Sequence, residues 1–567
     1  MYTSDSASDP DRIARYRERV FSERAALRDA ARQPALHQDR VLRELLEHNA
    51  GTEFGKEHGF ASIRSFEEFR KAVPVRDYRG LSPWIEKMAA GARNVLTADD
   101  PAVYFTSSGT TGAHKKIPVT PSFMRRTFFP FYYAAWAPLI EHFPEVLTDR
   151  DAVLNLKHDP LAAPPNTGSG RPHVGASQVD LGGTFGEPLA AEPGSSATWA
   201  TLPVPVAADN HLHRMYLRLR LAVESDVRCV IGINPAMVAA LPYQLKLWWP
   251  RLIKEIRDGT LGGVPWGRRN HERAAELERL ADHFGTVRPA HVWPRMKAVF
   301  CWTTGLASLY LPRLREEFGT GVTVLPAPVA ASEGPVGVAL DRHGSAGSLV
   351  VTASVYEFVE ADTDISEDVE TLRPEDLEAG RDYHVVFSHI GGLFRYAVGD
   401  VVHVVDRSGG VPRVEYAGRG GRSDVAGERL LEAPVIRALA HAATATGLEP
   451  GNAACRVAAG PDGGHRYEFA VSHRTPWSPG EGDRFAEALD GELCRQAPGY
   501  RTARATGRLG AAWVTRLDGD AFRRDWHNTV ATGIRPTQVK DRLFQQDPAQ
   551  WARLTGGTAD VTGNEAT

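Results

Sequence analysis

Apolar residues recur at helical spacing over residues 11–46 and again from Phe66, which predicts a helical opening region. Short apolar runs then alternate with helical stretches, at 102–105, 152–156, 229–233, 297–302 and 322–325. Such alternation predicts an α/β fold with largely parallel sheets. From Ser348 the pattern turns strand-rich, with runs at 348–353, 356–359, 384–388, 393–396 and 401–405. Residues 162–193 are rich in Gly, Pro and Ser, break the helical period, and read as a long loop over a site. The run Gly418-Arg419-Gly420-Gly421-Arg422 punctuates the chain as a hinge. These breaks divide it into a tail (1–10), a large domain (11–418), a smaller α+β domain (419–555) and a polar tail (556–567), the two tails expected to be disordered. No internal repeat is present.

Composition narrows the class. At 567 residues the chain exceeds one ordinary core and should form at least two domains. Its 66 basic and 70 acidic residues leave a net charge of −4 with no basic stripe, which argues against nucleic acid or an anionic membrane as partner. No apolar run reaches the roughly 18 residues of a membrane span, and the N-terminus lacks an apolar leader core. Cys229, Cys301, Cys455 and Cys494 are scattered without C-x-x-C or paired-His spacing. They read as reduced thiols of a cytoplasmic protein rather than a disulfide frame or zinc site. The Arg/Ala/Gly-rich composition points to a GC-rich bacterial genome.

Three segments carry candidate chemistry. Tyr104 to Thr120 reads Y-F-T-S-S-G-T-T-G-A-H-K-K-I-P-V-T: a strand runs into Thr106, Ser107, Ser108, Gly109, Thr110, Thr111 and Gly112, with Lys115 and Lys116 beyond. Glycines admit backbone N–H groups to an anion, hydroxyls add donors and lysine adds charge, so the segment suits a polyphosphate. A Walker A spacing cannot be fitted to either glycine. Ala330-Ala331-Ser332-Glu333-Gly334 follows an apolar strand and offers a carboxylate apt for a hard cation. The same residues form Ala-x-Ser-x-Gly, a nucleophile-elbow variant, which leaves a serine esterase built on Ser332 as a second reading, with His384, His389 or His403 as bases. In L-F-R-Y-A-V-G-D, a strand ending at Gly399-Asp400 places one carboxylate where both hydroxyls of a ribose can donate to it.

The first segment resembles the phosphate loop of the adenylate-forming superfamily, S/T-S/G-G-T-T-G-x-P-K, with Lys115 on the lysine position and His114 replacing the proline. Its continuation K-K-I-P-V-T resembles the acyl acid–amido synthetases that conjugate auxin and jasmonate. The upstream N-A-G-T-E-F-G-K-E-H-G-F (49–60), F-E-E-F (66–69) and V-P-V-R-D-Y (73–78) agree with it. The resemblance implies a large adenylate-forming domain and a smaller mobile one. It makes Lys115 a phosphate ligand, Ser332 and Glu333 the hydroxyl–carboxylate pair on a nucleotide-bound Mg²⁺, and Asp400 the ribose ligand. In L-Y-R-Y-x-x-G-D only Phe394 departs from the family's pattern. Val329 stands where plant members place an aromatic residue against adenine. Arg419 would bind nucleotide beside the hinge. Gln538-Val539-Lys540 resembles the family's Q-x-K, whose lysine bridges pyrophosphate and acyl phosphate. The helix after the phosphate loop would line the acyl pocket through Phe128, Tyr132 and Tyr133. Asp180-Leu-Gly-Gly-Thr184 lacks the serine of a carrier site, so no fused carrier is expected.

The implied activity joins a carboxylic acid to an amine or amino acid through acyl-AMP, with ATP and Mg²⁺, and is expected to serve bacterial specialised metabolism. Thiol acceptors (CoA or a carrier), nitrogen–nitrogen bond formation and the esterase stay open as alternatives.

Overall fold

The computed structural model describes residues 10–108, 114–156, 165–186, 192–341, 344–460 and 463–556. The expected tails at 1–10 and 556–567 fall almost wholly outside this set, Pro10 and Gly556 excepted.

Two helices, Pro10–Ala30 and Pro34–Asn49, open the chain. The single helical region expected there is broken at Pro34, which fits the first turn of a new helix because its missing N–H has no partner to lose there.

Four of the five early apolar runs form one parallel sheet, Val153–Asn155, Cys229–Ile231, Ala298–Cys301 and Thr323–Pro326, adjacent in that order. Its first three strands are wholly buried, which is why they read as unbroken apolar runs. The helices His211–Ala222, Pro235–Asp258, His271–Phe284 and Leu311–Phe318 connect these strands. The fifth run departs from the expectation. Val103–Ser108 pairs antiparallel with His114–Val119, Ser108 opposite His114, so the phosphate-loop sequence joins two strands of a hairpin. Within 162–193, the described part holds the short strand His173–Val174, parallel to Val103–Ser108, and the helix Leu181–Phe185.

The strand-rich region is antiparallel throughout. Its seven-stranded sheet runs Val329–Ala331, Gly334–Val338, Gly347–Leu349, Val411–Arg419, Leu393–Ser408, Asp382–His389, Val355–Glu360. Two expected strands, 393–396 and 401–405, are one strand of 16 residues. Gly399, with φ of 84°, sits where the register shifts and bends the strand without ending it.

Beyond Arg419 a separate sheet forms from Pro450–Ala459, His465–His473 and Trp513–Leu517. Helices Glu432–Thr446, Pro479–Gln496 and Pro498–Ala505 pack around its core of Phe469, Leu489, Leu493 and Tyr500. Helix Ala521–Ala531 faces the other way: Trp526 and Val530 join Ala236, Met237 and Ala240 of the helix Pro235–Asp258 in one buried apolar cluster.

Candidate active site

The cleft lies where the parallel sheet, the antiparallel sheet and the C-terminal unit meet. Lys115 and Lys116 alternate sides of their strand, as extended backbone requires. Lys116 turns outward to Glu86, with Nζ–O distances of 2.7 and 2.8 Å. Lys115 turns inward, its Nζ 3.5 Å from Glu333 Oε1 and 3.3 Å from the Tyr396 hydroxyl. Tyr396 closes the triangle by donating to Glu333 Oε1 at 3.4 Å. Thr106, Ser107 and Ser108 end the strand that leads to this point, while Gly109, Thr110, Thr111 and Gly112 lie outside the described residues.

Ser332 and Glu333 form the two-residue turn of a hairpin between Val329–Ala331 and Gly334–Val338. A nucleophile elbow requires a strand-to-helix turn, and here a strand follows. The proposed bases are committed elsewhere. His389 is buried; its Nδ1 accepts from the Gly391 N–H at 3.1 Å, so the other nitrogen, Nε2, donates to the Glu333 carbonyl at 2.9 Å. Burial holds this imidazole down at about 4, hence neutral. His384 Nε2 bonds the Ala361 carbonyl at 3.1 Å, and His403 pairs with Asp382 at 2.7 Å. The geometry does not support an esterase on Ser332. His389 instead braces the turn that presents Glu333, which is 3% exposed.

The bend at Gly399 aims Asp400 into the same cleft. Asp400 Oδ1 accepts from Arg419 Nη1 at 2.5 Å, across the register of neighbouring strands. Burial raises the Asp400 carboxyl and Glu333 adds to that, against the opposing pull of Arg419, Lys540 and Lys115. Asp400 in turn raises the Arg419 guanidinium. Gly418 adopts a φ of 131° and lets Glu432 approach, whose Oε2 accepts the Arg419 N–H at 2.9 Å. The hinge sequence is thereby tied to the first residue of helix Glu432–Thr446.

Lys540 arrives from the C-terminal unit. Its Nζ stands 5.0 Å from the Trp302 ring centroid, and Trp302 Nε1 donates to the Pro328 carbonyl at 3.1 Å. The protein crowding the cleft and the Arg419 charge lower the Lys540 ammonium, while Asp400 and Glu333 raise it. Lys540 nonetheless remains open to solvent, so the cleft is wet rather than sealed. Lys115, Glu333, Asp400, Arg419 and Lys540, far apart in sequence, thus share one electrostatic site.

The aromatic helix behaves less uniformly. One π-helical turn, Met124–Phe128, precedes Phe129–Ala135. Phe128 stacks on Tyr132 at 5.5 Å, Tyr132 meets Trp136 edge-on at 6.0 Å, and Trp136 stacks on Phe300 of the parallel sheet at 5.1 Å. Tyr133 leaves this line and packs on Tyr16 of the first helix at 5.5 Å, a core contact. Burial raises the hydroxyls of both Tyr132 and Tyr16, and buried Glu192, which no sequence signal singled out, adds to the rise. Tyr396 was legible only as a position within the L-F-R-Y-A-V-G-D motif, and Trp302 only as the end of an apolar run.

A single carboxylate such as Glu333 fits Mg²⁺ that arrives on a nucleotide, since that ion binds one or two protein carboxylates and takes its other ligands from phosphate and water. Among the described residues no group of three or more His, Cys, Asp or Glu could cage a metal by itself.

Comparison with known proteins gives the family. The GH3 family N-terminal domain matches residues 23–323 and the GH3 family central domain matches 347–419. A probable indole-3-acetic acid-amido synthetase, GH3.12 of Oryza sativa subsp. japonica, is 27% identical over 426 residues, 67% of this chain and 68% of the relative. A putative one, GH3.10 of the same plant, is 28% identical over 406 residues, 67% of this chain and 77% of the relative. In fold, the chain is similar to AtGH3.15 acyl acid amido synthetase in complex with 2,4-DB, with a TM-score of 0.76, 20% identity, and 94% and 95% of the two chains covered. The chain belongs to the GH3 family.

Proposed function

We propose that this protein is an ATP-dependent acyl acid amido synthetase. A carboxylate of the acid attacks the α-phosphorus of ATP, the bond to the β-phosphate oxygen breaks, and pyrophosphate leaves acyl-AMP. An amine, such as the α-amino group of an amino acid, then attacks the acyl carbon, and AMP departs with formation of the amide. The observation that carries this reading is the convergence of Lys115, Glu333, Asp400, Arg419 and Lys540 on one cleft at the carboxyl ends of a parallel sheet.

The chain's own contribution is electrostatic and positional. Lys115, with the hydroxyls of Thr106, Ser107, Ser108, Thr110 and Thr111 and the amides of Gly109 and Gly112, would hold the phosphates. Asp400 and Arg419 would hold the ribose side of the nucleotide. Lys540 would face the charge developing between α-phosphate and pyrophosphate. Mg²⁺, when bound with Glu333 and the neighbouring Ser332, neutralises phosphate charge. The line of Phe128, Tyr132 and Trp136 supports an apolar or aromatic acid as substrate. Residues 419–555 form the part that moves between the half-reactions. We place the enzyme in the cytoplasm of a bacterium, in specialised metabolism, with small-molecule partners only.

The test is exchange of labelled pyrophosphate into ATP, screened over carboxylic acids beginning with indole-3-acetic acid, followed by mass spectrometry with pooled amino acids. Exchange should require both an acid and Mg²⁺. Cleavage of ATP to ADP and phosphate would overturn the reading, and a product formed only with CoA would redirect it to a thiol acceptor.

A further inference from the structure

Lys540 sits in an extended stretch after the short 3₁₀ turn Pro536–Gln538, with Val539 at φ −78° and ψ 98°. A long, solvent-reaching side chain there has no reason to stay over Trp302 unless its backbone is fixed on both sides. The residues before and after it are each held by a three-way junction. The Val539 carbonyl accepts from Asn234 Nδ2 at 2.7 Å and from Trp526 Nε1 at 3.3 Å. The Asp541 carboxylate accepts from the Tyr310 hydroxyl, which itself accepts from Asn452 Nδ2 at 2.7 Å.

In each junction one member belongs to the large N-terminal region and one to the C-terminal unit. Asn234 caps the helix Pro235–Asp258 where it leaves the parallel strand Cys229–Ile231. Tyr310 closes the turn Gly305–Tyr310, a few residues after the strand Ala298–Cys301. Trp526 and Asn452 travel with the C-terminal unit. Any rotation of that unit must therefore break the bond of Asn234 to Val539 and those of Tyr310 to Asp541 and Asn452, while preserving that of Trp526. The three bonds to the large region are specific to the arrangement that keeps Lys540 in the cleft.

We propose that Asn234 and Tyr310 are positioning residues that clamp the Lys540 segment from both sides and so select the acyl-AMP-forming arrangement. The proposal rests on the function argued above for the chemistry of Lys540, but the clamp itself is a statement about contacts. Two substitutions separate it from folding. Asn234→Asp keeps the side-chain oxygen that accepts the Ala236 N–H at 3.1 Å, so the helix cap survives, but turns a donor into a carboxylate facing a carbonyl. Tyr310→Phe removes one hydroxyl and keeps the ring.

The experiment has two arms on the full chain. In the first, pyrophosphate exchange is measured with an acid that supports it, beside single-turnover amide formation from the synthetic acyl-adenylate of that acid. Each variant should lose about tenfold or more in exchange, as expected for a buried hydrogen bond left unmade, while amide formation from the supplied adenylate is retained. Equal loss in both half-reactions would overturn the clamp. In the second arm, hydrogen–deuterium exchange of residues 536–545 should accelerate in both variants, with the helix Pro235–Asp258 still protected. Unchanged protection of 536–545 would overturn the clamp whatever the reaction proves to be. If the wild type exchanges pyrophosphate with no acid, the proposed function fails and the second arm alone decides the clamp.

Discussion

At the scale of single residues, the cleft sets charge against burial. Asp400 is a carboxylate in a crowded place whose present partner is the Arg419 guanidinium. A ribose would offer it two more donors, and bonds to a charged acceptor contribute about 1.5–3 kcal/mol. Asp400→Ala should therefore raise the KM for ATP roughly ten- to hundredfold. Arg419 retains solvent at 42% side-chain exposure, so the fold should survive the loss. An unchanged ATP dependence in the folded variant would remove Asp400 from the nucleotide site. Asp541 poses a different problem. Burial raises its carboxyl to about 6, with Asp525 adding to the rise and the Tyr310 and Asn452 bonds opposing it. An acid held above its unfolded value binds its proton more tightly when folded, so stability falls as pH rises from about 4 to 6. Above pH 6 the ionised group costs the native state about 3 kcal/mol relative to its protonated form. Asp541→Asn should then raise the unfolding midpoint at pH 7.5 and flatten the pH dependence between 4 and 6. A midpoint lowered at pH 7.5 would show that the ionised carboxylate is a net gain.

At the scale of elements, the strand Leu393–Ser408 carries Tyr396 and Asp400 of the site, and its start is locked by an ion pair that leaves no room for slippage. Arg395, 1% exposed and at φ 43°, bonds Glu357 with Nε at 2.9 and 3.0 Å and Nη2 at 2.7 Å, and donates to the Arg70 and Val73 carbonyls at 2.9 and 2.8 Å. Glu357→Ala would strand a guanidinium in the core and should destabilise the protein by about 3–5 kcal/mol. Denaturant titration measures it, and a loss below about 1 kcal/mol would mean the pair is solvated in the native state. The sequence made the site's landmarks legible because each is a contiguous motif whose chemistry is local: Lys115 after the hydroxyl run, Glu333 in its turn, Asp400 after glycine. It also placed the parallel strands, since burial on both faces leaves an unbroken apolar run. It failed where geometry depends on distant chain. Gly399-Asp400 looks like a strand end because a glycine at positive φ is the usual turn signal, and only pairing with Val411–Arg419 carries the strand through it. Tyr133 differs from Tyr132 by one position on a helix, and although both rings are buried, only the first helix decides that Tyr133 packs on Tyr16 while Tyr132 packs on Phe128 and Trp136.

At the scale of the whole molecule, the two regions meet through contacts that are extensive yet partly polar. Arg523 reaches across to Glu317 at 2.6 and 2.8 Å, Arg313 reaches back to Asp520 at 2.9 Å, and Trp526 and Val530 bury against the helix Pro235–Asp258. This interface holds Lys540 at the cleft, and a reaction with two chemically different steps gives that placement a purpose. During acyl-AMP formation negative charge builds on the α-phosphate and the departing pyrophosphate, and an ammonium between them stabilises both. During amide formation the leaving group is AMP, and if the C-terminal unit turns away as proposed, the same ammonium would have no such charge to meet. Lys540→Ala should thus slow acyl-AMP formation by about 3–4 kcal/mol, a few hundredfold, by analogy with loss of one oxyanion donor. It should largely spare amide formation from supplied acyl-AMP. Single-turnover kinetics of the two half-reactions measure this. Equal damage to both would make Lys540 a general nucleotide contact. Damage to neither would leave Lys115 to serve the transition state alone, since Lys116 is turned away toward Glu86.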